Sequence, residues 1–213
     1  MGRQIVPVTA EALSSIAVPC ATCTFWEHGP AVVTPRDAGP SPQATKEQWL
    51  NRTALDWGTC GWLAQVDGAP VGYVLYAPSG YVPRAHAFPT APTSPDAVLL
   101  VTVQVVPEHR GNGLGRALVR AAAADLVGRG VRAMEAYASP SPAGCLLASD
   151  FLTEVGFTPV RDHAVVPRLR LDLRTTVTWR DDVEGVWARL GGYFGTRSGK
   201  RIDPVGVSSS SGR

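Results

Sequence analysis

The stretch Val103-Gln104-Val105-Val106-Pro107-Glu108-His109-Arg110-Gly111-Asn112-Gly113-Leu114-Gly115-Arg116 decides the fold. Leading into it, Ala97 to Val106 is dominated by valine and leucine, the composition of a strand buried on both faces. Pro107 has no N–H to give and ends the ladder. Glycines then occupy alternate positions, Gly111, Gly113 and Gly115, and a helical pattern opens at Leu114. Glycine tolerates positive φ and lets a ligand approach the main chain with no Cβ between. Free N–H groups at a helix start, with Arg110 and Arg116 beside them, make a site for phosphate. The local reading is strand, anion-binding loop, helix.

Two common phosphate motifs do not fit. A Walker loop needs Gly-Lys before Ser or Thr, whereas Gly115 is followed by Arg116 and Ala117. A dinucleotide fingerprint needs its third glycine at position 116, which is arginine. The pattern that does fit is Gln/Arg-x-x-Gly-x-Gly/Ala, filled by Arg110, Gly113 and Gly115. Joined to a strand ending Val-Val-Pro and a long helix, it resembles the GCN5-related N-acetyltransferase (GNAT) superfamily. The resemblance covers residues 4–174. It implies that Arg110, Gly111, Asn112, Gly113, Leu114, Gly115 and Arg116 hold the pyrophosphate of acetyl-CoA. It also implies that Val103, Gln104 and Val105 pair with the pantetheine arm.

A second segment carries the resemblance. The family's last helix commonly reads Asn-x-x-Ala-x-x-Leu-Tyr-x-x-x-Gly-Phe, and Ala148, Phe151, Gly156 and Phe157 keep that frame. Cys145 stands at the asparagine position, which places it with the cofactor-binding residues. Leu152 stands at the tyrosine position. In many members that tyrosine protonates the departing thiolate, and leucine has no proton to give.

The implied reaction is direct transfer of an acetyl group from acetyl-CoA, as cosubstrate, to a primary amine. The acceptor amine must lose a proton before it attacks. Glu27 and His28 lie in a segment that forms part of the acceptor wall in that family. Tyr137 closes a strand and can replace the missing tyrosine as acid. These are the catalytic candidates, with His86 and Tyr81 as further residues able to reach the cleft. Two other readings stand beside the enzyme. One is a catalytically weakened acyl-CoA-binding regulator. The other is an interaction module using the Cys20-Cys23 segment and a helix bearing Trp179 and Trp187.

Composition narrows the field. A formal charge of +2 with no basic block does not indicate nucleic acid. No apolar run approaches the ~20 residues of a membrane span. Four cysteines and no hydrophobic leader read as reduced thiols of a cytoplasmic protein. Abundant Arg, Ala, Gly and Pro, with lysine only at 46 and 200, suggests a high-GC bacterial source. Cys20-x-x-Cys23 could seed a zinc site, but only Cys60, His28 and His86 are scattered around it, so no metal is expected.

Along the chain, Gln4–Val8 reads as a strand, Glu11–Ile16 as a weak helix and residues 29–45 as a mobile loop. A helix runs from Thr45, its cap, to Trp57. Asp67-Gly68 joins two strands as a hairpin. Five prolines between 78 and 95 make an irregular segment, read as a lid. Arg132–Tyr137 and Arg168–Leu173 read as strands around a helix at 143–155. The expected fold is α/β, a central mixed, mostly antiparallel sheet flanked by helices. The expected domains are 4–174 as the catalytic domain, 175–194 as a helical extension and 195–213 as a disordered tail. A monomer or homodimer is expected.

Overall fold

The computed structural model describes residues 2–29, 40–141 and 144–173. The helical extension, the tail and most of the 29–45 loop lie outside the described residues. The strands are β1 (Arg3–Pro7), β2 (Gly61–Val66), β3 (Ala69–Ala77), β4 (Ala97–Val105), β5 (Ala133–Ser139), β6 (Leu147–Ala148), β7 (Thr158–Arg161) and β8 (Arg168–Asp172). They form one sheet in the order β1-β2-β3-β4-β5-β8-β7, with β6 off the path beside β5. The β4–β5 and β5–β6 pairs are parallel and the others antiparallel. Asp67 and Gly68 both have positive φ, 50° and 83°, the backbone that a tight two-residue hairpin requires.

The central strands are apolar throughout because both faces are covered, and their side chains sort by parity. Trp62, Ala64, Val74, Tyr76, Val98 and Leu100 face one core, shared with Leu118, Ala122 and Leu126 of α3 (Leu114–Gly128). Leu63, Tyr73, Leu75, Leu99 and Val101 face the other. There they meet Leu13 of α1 (Ala10–Ser14) and Leu50 of α2 (Pro42–Trp57).

A buried polar chain fixes the far end of α3. The Tyr76 hydroxyl accepts from Trp62 Nε1 at 3.0 Å and donates to Asp125 Oδ2 at 2.8 Å. Arg129 donates to that same carboxylate oxygen and to the carbonyls of Thr59 and Trp57. Its guanidinium lies 3.6 Å from the centre of the Trp57 ring.

Three expectations are corrected and one strand is added. The second helix starts at Pro42 rather than Thr45: Ser41 Oγ accepts from Ala44 N, and proline fits a first turn whose N–H has no partner anyway. Glu47 therefore lies beyond the first turn and accepts from Gln43 Nε2. The helix read at 143–155 shrinks to α4 (Ser149–Glu154), because Leu147 and Ala148 pair with Ala138 and Ser139. β7 was not foreseen; all four of its residues are exposed and carry no alternation, and Pro159 suits an edge strand. Finally, the proline-rich segment, expected to be irregular, contains two 3-10 turns and is tied at two points. Tyr81 O accepts from Trp49 Nε1 at 2.7 Å, and Thr90 Oγ1 donates to Val166 O at 3.0 Å.

Candidate active site

β4 and β5 run side by side only at Ala97–Leu99 and Ala133–Glu135. Beyond Leu99, β4 stays paired with β3 on its other edge as far as Val105, while the end of β5 pairs with β6. The sheet thus splits, and a register shift opposite Leu75 and Tyr76 bends β4 at the split. Val103, Gln104 and Val105 lie on the part of β4 that has left β5. Peptide groups on that edge are open to an added strand or an extended ligand.

The glycine loop follows directly. Gly111 and Gly113 have φ of 73° and 76°, and a Cβ built on either would meet nothing within 4 Å. Gly113 caps α3 with no side-chain hydrogen bond, so among the described residues no cap side chain competes for the first-turn N–H groups. Arg110 Nε donates to Val105 O at 2.9 Å, folding the loop back on β4. Asn112 O accepts from Arg3 Nη1, and Leu114 anchors the helix in the core. Arg116 is exposed on the first turn. Gly115 has a different reason to be glycine: its Cβ would stand 3.2 Å from the Phe151 ring. Gly115→Val is expected to cost about 1–3 kcal/mol by overpacking. Urea unfolding checks it, and an unchanged midpoint would remove Phe151 as the reason.

On the other face, the 19–28 segment brings several groups beside β3 and β4. Lys46 Nζ meets Glu27 Oε1 at 2.5 Å, and both side chains are 2% exposed. Glu27 Oε2, Trp26 Nε1 and the Tyr73 hydroxyl are buried without a hydrogen-bond partner among the described residues. Burial holds the Tyr73 phenol far above its usual range. Gln104 Nε2 reaches Cys20 Sγ at 3.5 Å, and Cys23 Sγ stands 3.3 Å from Cys145 Sγ. His28 is half-buried at the end of the segment. Tyr137 is 1% exposed, behind Trp26 and Phe88, with its hydroxyl 3.4 Å from Thr93 Oγ1. Burial raises its phenol too. Leu152 is fully buried in the α3 core.

Cys60 and His86 do not join Cys20 and Cys23; the thiol that does is Cys145. Among the described residues, no group of three or more His, Cys, Asp or Glu is arranged to hold a metal ion. No local signal announced the Lys46–Glu27 pair or the approach of Cys145, which lies 122 residues from Cys23.

A split sheet edge running into a glycine loop at a helix start makes a site for an extended, anionic ligand. Residues 24–143 match the model of the Acetyltransferase (GNAT) family, and the chain belongs to that family. None of the curated proteins matches it. Among solved structures, it is similar to an N-acetyltransferase from Staphylococcus aureus Mu50, with a TM-score of 0.55 and 13% identity. That match covers 82% of this chain and 100% of the other. PaiA N-acetyltransferase from Thermoplasma acidophilum, solved with coenzyme A, gives 0.53 at 11% identity over 81% and 99%. YncA from Salmonella typhimurium, solved with acetyl-CoA, gives 0.53 at 18% identity over 81% and 95%.

Proposed function

We propose that the protein transfers an acetyl group from acetyl-CoA to a primary amine. The observation that carries this reading is the continuity of the split edge of β4 with the uncapped first turn of α3. The first offers peptide groups to an extended amide-bearing arm, and the second offers N–H donors to a pyrophosphate. The residues present fit acetyl-CoA, since both glycines of the loop leave open space. When bound, it supplies the activated thioester.

In this reading, Arg110, Gly111, Asn112, Gly113, Leu114, Gly115 and Arg116 build the phosphate end, and Val103, Gln104 and Val105 the arm. Cys145 closes the thioester end. N–H groups fixed on β4 stabilise negative charge developing on the carbonyl oxygen, because they need no reorganisation there. Glu27 Oε2, unengaged by Lys46, is the candidate base, and the half-buried His28 next in the chain is the second. Tyr137, held protonated by burial, is the candidate acid. Since Leu152 is sealed in the core, it takes no part in proton transfer.

Titration calorimetry with acetyl-CoA, followed by thiol release across an amine panel, tests the proposal. Arg110→Ala should weaken acetyl-CoA about tenfold, by removing charge and the tie to Val105 O. Glu27→Gln, His28→Ala and Tyr137→Phe should lower kcat rather than acetyl-CoA affinity. Absence of acetyl-CoA binding to the unmodified protein would overturn the reading. Binding without turnover on any amine would favour the regulator.

A further inference from the structure

We propose that Cys23 and Cys145 form an oxidative modification site, which closes to a disulfide by exchange with a small-molecule disulfide and staples the 19–28 segment to the turn between β5 and β6. Their sulfurs stand 3.3 Å apart, so they need approach by only about 1 Å to reach bonding distance. All three thiols of the cluster are partly exposed, while Cys60 is buried elsewhere and serves as an internal control. The 19–28 segment spans the split, with Cys20 reaching Gln104 of β4 and Trp26 packed near Tyr137 of β5. Cys23 sits on the wall against β3 and β4, and Cys145 on the turn leading into β6. A covalent bond between them ties the 19–28 segment to the turn that leads into β6. Nothing in the acetyl-transfer reading uses this pair of thiols as a pair.

The exchange balances without a further reagent. One protein thiolate attacks a sulfur of the small disulfide, forming a mixed disulfide and expelling one small thiolate. The second protein thiolate then attacks the protein-side sulfur, closes the Cys23–Cys145 bond and expels the other. Two protein thiols are oxidised, the small disulfide is reduced to two thiols, and the protons pass to the departing thiolates.

Two alternatives for the same cluster fare worse. A covalent acyl carrier needs a ready thiolate, but burial followed by the neighbouring Cys23 pushes Cys145 up to about 12. Burial raises Cys20 as well. With Cys145 held protonated, exchange is slow, as suits a site that answers sustained oxidising conditions. A resident metal finds no suitable donor arrangement among the described residues.

The experiment incubates the reduced full chain with oxidised glutathione and maps non-reduced peptides by mass. The expected product has lost a pair of its four titratable thiols, carries no glutathione and links the 19–28 segment to the peptide bearing Cys145. Cys20→Ser should keep the link and Cys145→Ser should abolish it. The oxidised protein should melt several degrees higher, and dithiothreitol should reverse the shift. A stable glutathione adduct, a Cys20–Cys23 bond, or loss of the link in Cys20→Ser would each overturn the proposal. So would a purified protein whose thiols are masked by stoichiometric zinc. None of these readouts uses acetyl-CoA, so failure of the acetyltransferase reading is recognised separately.

Discussion

Glu135→Ala is expected to destabilise the protein by about 3–5 kcal/mol, the range for removing one partner of a buried ion pair. Glu135 is fully buried on β5, at the last position where β4 and β5 still run together. Its Oε2 accepts from Arg168 Nη1 at 2.7 Å and from Ser94 N at 3.1 Å, and its Oε1 from Arg170 Nη1 at 3.2 Å. Arg168 also donates to Pro92 O, and Arg170 reaches both oxygens of Asp96. One carboxylate thus ties β5, β8 and the proline-rich wall together. Arginine cannot shed its proton, so removing the carboxylate leaves Arg168 charged, buried and uncompensated. Glu135→Gln keeps the shape and should lose less, because an amide still accepts one hydrogen bond. Thermal melting should fall by roughly 10 °C for alanine. A loss below about 1 kcal/mol would mean that water replaces the carboxylate and that the wall holds without it.

Gly113→Asp is expected to weaken acetyl-CoA about 100-fold while costing only about 1 kcal/mol of stability. Position 113 has φ of 76°, a left-handed conformation that aspartate and asparagine adopt more readily than other L-residues. A Cβ there meets no atom within 4 Å, so the cost to folding comes from the positive φ alone. The new carboxylate lies where the first turn of α3 would receive a phosphate, and repels it. Gly113→Asn brings the same bulk without charge and should lose about tenfold or less. Equal losses in the two variants would show that bulk rather than charge decides. No loss in either would remove the glycine loop from the binding site.

How much of this was legible depends on whether the information is local. The strand from Ala97, the proline stop, the glycine loop and α3 all follow from neighbouring residues, as does the hairpin at Asp67-Gly68. The start of α2 was legible in principle, since Ser41-Pro42 is a capped helix start; the prolines around it drew it into the loop. α4 was overextended because Cys145 to Ala148 continues an apolar run that only β5 turns into a strand. The site divides the same way. Its phosphate end is a contiguous stretch, whereas the opposite wall is assembled from Trp26, Lys46, Tyr73 and Cys145, which share no pattern. That Lys46 would be fully buried was least visible, because lysine on a helix ordinarily reaches solvent.

The polar chain running from Trp62 through Tyr76 and Asp125 to Arg129 lies at the opposite end of α3 from the glycine loop. A helix clamped at its tail and packed along its length cannot swing its head. The direction in which its first turn presents N–H groups is therefore settled when the chain folds, before any anion arrives. Little orientational freedom remains to be lost on binding, so affinity at that end depends on charge and donor geometry rather than on induced ordering. Tyr76 and Arg129 thereby act on recognition from the far end of a fifteen-residue helix without approaching the ligand.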